Sequence, residues 1–128
     1  MPTWTVNEVE AAVRASWSHE TCDDSDLADW SERARARGQC GATALVLHDL
    51  LGGELLLAEV LHPDGTRQGY HYWNRLPGGD VDLTREQFAP DEVVQAPRVV
   101  ERPARLPRRG ARQYLALRAA VDARLAAP

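Results

Sequence analysis

Three residues far apart in the chain carry the side-chain types that acyl chemistry at a thiol requires: Cys40, His71 and Asp82. A sulfur nucleophile needs a base that takes its proton and passes it to a leaving group, and the base needs a partner that fixes its tautomer. Cys40 follows Gly38-Gln39 and leads the apolar run Gly41 to Leu51, in which Ala44, Leu47 and Leu51 fall on one side at helical period, with Leu45 and Leu50 close by. The sulfur therefore stands at the first or second position of a deeply buried helix. There the unpaired N–H groups and the positive end of the macrodipole favour thiolate over thiol. Gly38 lets the chain turn sharply into the helix, and Gln39 brings an amide beside the sulfur, where an oxyanion would develop. Taken alone, such a cysteine is a buried structural cap; the residues downstream change that reading.

Of the four histidines, His48 is eight residues along the same helix, about 12 Å from Cys40 by rise alone. His62 falls in a turn, and His19 in a loop with no strand partner nearby. His71 lies in an aromatic strand, Gly69 to Leu76, whose alternation sends His71, Trp73 and Arg75 to one face and Tyr70, Tyr72, Asn74 and Leu76 to the other. Trp73 shares the histidine's face and is placed to shield the imidazole. Asp82, Asp80 and Asn74 are all candidates to orient it. A four-residue turn over Pro77–Asp80 sets Arg75 against Asp82 and leaves the carboxylate displaced from His71, a gap that a bulge at the glycines or a wider loop would close. Gln39, Trp17, Trp73 and Asn74 are the candidates for oxyanion and substrate contacts.

The elements that must hold these residues follow from local pattern. Thr5 with Glu8 forms a capping box, with Trp4 and Val9 as its staple, ahead of a helix from Val6 to Trp17 whose face carries Val6, Val9, Val13 and Trp17. The segment Ser18 to Asp24 reads as a loop, and a second helix is expected over Asp26 to Ala36. The acidic cluster Asp23, Asp24, Asp26 and Asp29 suits a helix start and lacks the spacing of a calcium loop. Gly52-Gly53 ends the cysteine helix, Glu54 to Leu61 is a strand, and His62 to Thr66 is a hairpin turn into the histidine strand. Val81 to Thr84 begins a third strand. Four prolines between Pro90 and Pro107 rule out a long helix there, so Val93-Val94 and Val99-Val100 suggest an edge strand or an extended arm. Tyr114, Leu117, Val121 and Leu125 recur at helical spacing in a terminal amphipathic helix. Helices followed by an antiparallel meander make an α+β plan.

Composition bounds the rest. A chain of 128 residues, 44% hydrophobic and 27% charged, is expected to be one domain over 1–128, with a core over about 6–90, a Pro/Arg-rich arm over about 90–109 and a last helix over about 111–126. All 15 basic residues are arginine, which excludes a lysine Schiff base, a lysine general base and a phosphate-loop lysine. The net charge of −4 argues against a nucleic-acid partner. Scattered histidines and two cysteines without a Cys-x-x-Cys give no metal site, and no cofactor is called for. No run reaches membrane-spanning length and the N-terminus lacks the character of a signal peptide, so no membrane partner and a cytoplasmic location are expected.

The motifs resemble two families. Gly38-Gln39-Cys40, His71-Tyr72-Trp73-Asn74 and Asp82-Leu83-Thr84 are similar to the Gly-x-Cys, His-x-Trp-Asn and Asp-x-Thr pattern of the transglutaminase-like branch of papain-like cysteine enzymes. That resemblance implies a cysteine at the start of a central helix packed on an antiparallel sheet carrying the histidine and aspartate. More extensively, Ala15-Ser16-Trp17-Ser18, Glu20-Thr21, Gly38-Gln39-Cys40, Thr43 to Val46, Gly52-Gly53-Glu54, His71 to Leu76 and Asp82 to Phe88 resemble the YunG-like family of small bacterial proteins over about residues 6–90. The first expectation is a thiol hydrolase or acyltransferase acting on a small-molecule, peptide or carrier-bound acyl group. The second is a non-catalytic binding module that holds a small ligand with Trp17, Trp30, Trp73 and Tyr72, and a third is an interaction domain using the arginine arm.

Overall fold

The computed structural model describes residues 4–106 and 108–127; Pro107, the last proline of the arm, and the extreme ends of the expected domain lie outside the described residues. The first helix, α1, runs Val6–Ser16 behind the expected capping box: Thr5 Oγ1 accepts from the Glu8 N–H at 3.1 Å, and Glu8 Oε1 accepts from the Thr5 N–H at 3.3 Å. Its buried face is Val9, Ala12, Val13 and Ser16; Val6, counted on that face from the sequence, is exposed.

The expected helix over Asp26 to Ala36 does not form. A 3-10 turn at Asp24–Asp29 takes its place, capped by Asp23, whose carboxylate accepts from the Ser25 N–H. Side chains and backbone close the segment on itself instead: Trp30 Nε1 donates to the Arg35 carbonyl at 2.9 Å and Arg37 Nε to Asp26 at 3.0 Å. Two anchors within the loop, at Trp30 and Arg37, outweigh a weak local helix preference in a stretch rich in Asp and Ser.

Helix α2, Cys40–Leu51, starts at the cysteine and stops at Gly52, whose φ of 77° and N–H to the His48 carbonyl end it as the glycine pair implied. Strands β1, Glu54–Leu61, and β2, Arg67–Leu76, pair antiparallel, with Leu56 opposite Trp73 and Ala58 opposite His71. The third strand, β3, is short, Gly79–Val81, so the expected strand through Thr84 ends early and Asp82 leaves the sheet. The arm contributes β4, Val93–Val94, and β5, Arg98–Val100, both paired with the free edge of β1. The sheet order is β3-β2-β1-β4, with β5 also on β1, and the terminal helix α3 spans Ala111–Ala126.

The architecture is α+β, helices on an antiparallel sheet. Its main core joins Val9, Val13 and Trp17 of the N-terminal segment, Val46 and Leu47 of α2, Leu83, and Tyr114, Leu117 and Val121 of α3. A smaller cluster of Leu56, Ala58 and Trp73, with Val94 against it, lies across β1 and β2. Ion pairs tie down the arm, Arg102 to Asp49 at 2.6 Å and Arg109 to Asp23 at 3.0 Å, and α3 adds Arg112 to Asp24 at 2.9 Å. Among the described residues no helix is long and apolar enough to cross a membrane.

Candidate active site

Cys40 is the first residue of α2, and its entry turn depends on Gly38. That glycine has φ of 70°, and a Cβ there would stand 2.6 Å from Cys22 Sγ and 2.8 Å from Asp26 Cβ. Cys22 lies beneath it with its S–H directed at the Arg37 carbonyl, 3.3 Å, and the Asp23 carbonyl, 3.4 Å. Burial, then the Asp26 and Asp23 carboxylates, push the Cys22 thiol up to about 11. Cys22 is a packing residue, and both cysteines are free.

Cys40 is partly exposed. Burial, the largest influence on its sulfur, pushes the thiol up; the Tyr72 backbone N–H, the Gln87 side chain and the Gly41 N–H pull it down, and the Asp82 carboxylate pushes it up again. The net direction is upward. This corrects the expectation of a thiolate: the helix terminus supplies a contribution of the expected sign, but desolvation outweighs it, and the resting group is a thiol.

His71 is fully buried, and its Nε2 lies 2.7 Å from Asp82 Oδ2 and 2.9 Å from Oδ1. Trp73 stacks on the imidazole at 5.3 Å between centroids, and Phe88 meets it edge-on at 4.8 Å. Burial works to raise the Asp82 carboxyl, but the His71 bond and charge, with Arg85 behind them, hold it below the usual carboxylate range. Arg85 Nε reaches Asp82 Oδ2 at 2.6 Å while its guanidinium lies 4.9 Å over the Trp73 ring. With Nε2 committed to the carboxylate, Nδ1 is the ring nitrogen left over. It is buried without a hydrogen-bond partner.

The turn between β2 and β3 closes the gap that a four-residue turn would leave. Leu76 pairs with Gly79, Arg75 with Asp80 and Asn74 with Val81, so the loop is only Pro77-Gly78. This moves Asp82 two residues along β2 toward His71, through a tighter turn rather than the bulge or wider loop expected. Asp80 is used elsewhere, accepting from Arg75 Nε at 2.8 Å and Trp73 Nε1 at 3.1 Å. Asn74 points away from His71 and donates to the Ala44 carbonyl of α2 at 2.9 Å. Of the three orienting candidates, Asp82 alone meets the ring.

Several expected contacts are occupied by the protein itself. Gln39 is fully buried; its Oε1 accepts from the Thr21 hydroxyl at 2.7 Å and its Nε2 donates to the Ser18 carbonyl at 3.2 Å, so the side chain clamps the segment after α1 to the start of α2. Trp17 and Trp30 are core residues, Trp17 Nε1 donating to Thr43 at 3.0 Å. Trp73 covers His71. The tryptophans placed at a ligand from the sequence are therefore inside, because each indole N–H found an acceptor in the chain.

A cavity of about 850 Å³ opens beside Cys40, walled by Leu55, Leu57 and Tyr72 from the sheet, Leu45 from α2, and Phe88. The structure brings His71, Asp82, Trp73 and Phe88 together, and sets Cys40 at the backbone of Tyr72, the next residue to His71. Among the described residues no hydrogen bond joins Cys40 Sγ to the imidazole. Two contributors escaped sequence reading, Arg85 and Gln87. Arg85 had a signal, its spacing of three from Asp82; Gln87 had only its place in the Asp82 to Phe88 stretch of the family resemblance, which gave it no role.

The pattern that defines the YunG protein family matches residues 5–126. The chain belongs to the YunG family. It is similar to the "Uncharacterized protein YunG" of Bacillus subtilis (strain 168), 32% identical over 93 residues, covering 72% of this chain and 71% of that one. No solved structure matches it. The family match runs beyond the expected limit near residue 90 and takes in the arm and α3. Both are integral to the fold: the arm forms one edge of the sheet and α3 closes the main core.

Proposed function

We propose that this protein is a cysteine-dependent hydrolase or acyltransferase acting on an amide or thioester carbonyl, on a papain-like, transglutaminase-like plan. Cys40 is the nucleophile, His71 the base through Nδ1, and Asp82 the group that holds His71 in the tautomer and orientation this needs. The observation that carries the reading is the buried His71–Asp82 pair, which occupies Nε2 and leaves Nδ1 unpartnered. A buried imidazole with an orphan nitrogen is costly to maintain, and a proton transfer would give that nitrogen a use. Because the resting sulfur is a thiol, His71 takes its proton as the S–C bond forms. The same proton goes to the leaving amine or thiol as the tetrahedral adduct collapses, and water, an amine or a thiol then releases the acyl group. Nucleophile–base contacts are commonly long before substrate binds and tighten with it.

The test is acylation by p-nitrophenyl thioacetate, followed by chromophore release and intact-protein mass spectrometry. The expected result is one acetyl group on Cys40, abolished by Cys40→Ser and slowed by about 10²–10⁴-fold in His71→Asn. Acylation of wild type no faster than of Cys40→Ser, or an adduct on Cys22, overturns the proposal. The cavity beside Cys40 favours a second reading, a binding module. It predicts that a ligand held there stays bound in Cys40→Ser and is never turned over.

A further inference from the structure

We propose that Gln87 is a further catalytic residue, whose side-chain amide binds the oxyanion formed when Cys40 attacks a carbonyl. The inference rests on the thiol–acyl reading above and assigns a role that sequence reasoning gave to Gln39.

Gln39 is spent on Thr21 and Ser18. Gln87 is arranged the other way: one end is anchored and the other is free. It closes the 3-10 turn Arg85–Gln87, which begins three residues after Asp82, with its backbone N–H on the Thr84 carbonyl at 3.0 Å. Its backbone carbonyl accepts from Arg37 Nη1 at 3.4 Å, and its Oε1 accepts from the Gly38 N–H at 3.3 Å, which couples it to the turn that presents Cys40. Nε2 is buried with no hydrogen-bond partner, although Gln87 and Cys40 wall the same cavity. The approach of the Gln87 side chain to the sulfur pulls the thiol's pKa down, against the larger upward push of burial. A buried amide donor held by its oxygen end, beside a nucleophile, is the kind of preorganised dipole that stabilises developing negative charge.

In the step itself the Cys40 Sγ–C bond forms while the carbonyl π pair moves onto oxygen, and the thiol proton passes to His71 Nδ1. Gln87 Nε2–H donates to the new oxyanion. On collapse the pair returns to re-form C=O, the bond to the leaving group breaks, and that group takes the proton from His71.

Two reagents separate this role from a structural one. Acylation by p-nitrophenyl thioacetate passes through an oxyanion; alkylation of the same sulfur by iodoacetamide does not. The readout is the ratio of the two rates at Cys40, in Gln87→Met, which removes the donor without adding charge, and in Gln87→Glu, which keeps the acceptor for the Gly38 N–H. The expected result is a ratio lowered about 100-fold in both variants. Any effect on thiol ionisation slows both reactions together and leaves the ratio unchanged, so an unchanged ratio overturns the assignment. Wild-type acylation no faster than that of Cys40→Ser defeats the underlying thiol–acyl reading instead, and this inference with it.

Discussion

Replacing Asp82 by Asn tests the electrostatic centre of the site through stability alone, with no substrate needed. Asp82 accepts from two donors: His71 Nε2, in a fully buried ring, and Arg85 Nε, on a half-exposed side chain. A buried hydrogen bond to a charged group is worth about 1.5–3 kcal/mol. The Arg85 pair adds at most about 0.5 kcal/mol because solvent screens it. Asn has a single acceptor oxygen for two donors, and its own N–H₂ must then face one of them. The expected loss at pH 7 is about 2–3 kcal/mol, or roughly 10 °C in Tm for a chain of this size. The folded-state pKa of Asp82 lies below its unfolded value, so its contribution is complete above the unfolded value of about 3.9 and disappears as pH falls through the folded one. Urea unfolding of wild type and Asp82→Asn, compared from pH 7 to pH 3, should show a gap that is constant at neutral pH and narrows below about pH 4. Because Asp23 and Asp49 are depressed as well, the difference between the two proteins is the quantity to follow. A gap under about 0.5 kcal/mol at pH 7, the size of an ordinary surface change, would refute the buried pair, as would a gap indifferent to acid.

Gly38→Ala should cost about 2–4 kcal/mol by urea unfolding, since it adds left-handed strain to a Cβ 2.6 Å from Cys22 Sγ; Cys22→Ala in the same chain should restore part of the loss. Asp49→Ala should cost about 1–3 kcal/mol and speed tryptic cleavage after Arg105, because Asp49 joins the arm and α3 to α2 through Arg102, Arg118 and Tyr114. Cleavage at the wild-type rate would show that the arm is held by its strands alone.

Much of the fold was legible locally. The Thr5–Glu8 box, the double glycine after α2, the Asp-Gly turn after β1 and the heptad-like recurrence in α3 each combine a short-range steric or hydrogen-bonding preference with a matching hydrophobic period, and each element formed where that pattern put it. The segment after Asp23 failed for the opposite reason, since Trp30 and Arg37 take their partners from the surrounding loop. Trp17 and Gln39 looked like ligand contacts because residue type shows what a side chain can bond, not which partner reaches it first.

The amino-acid order by itself determined the pieces: a thiol at a helix start, an imidazole on an aromatic strand, a carboxylate just beyond the next turn, and the α+β succession that holds them, because these depend on neighbours within a few residues. Tertiary structure alone decided the pairings. A two-residue turn delivered Asp82 to His71, burial kept Cys40 a thiol, and Gln87 was left with an unpaired amide beside it. Those outcomes depend on register, desolvation and competition among donors, which arise only when residues distant in sequence are packed together.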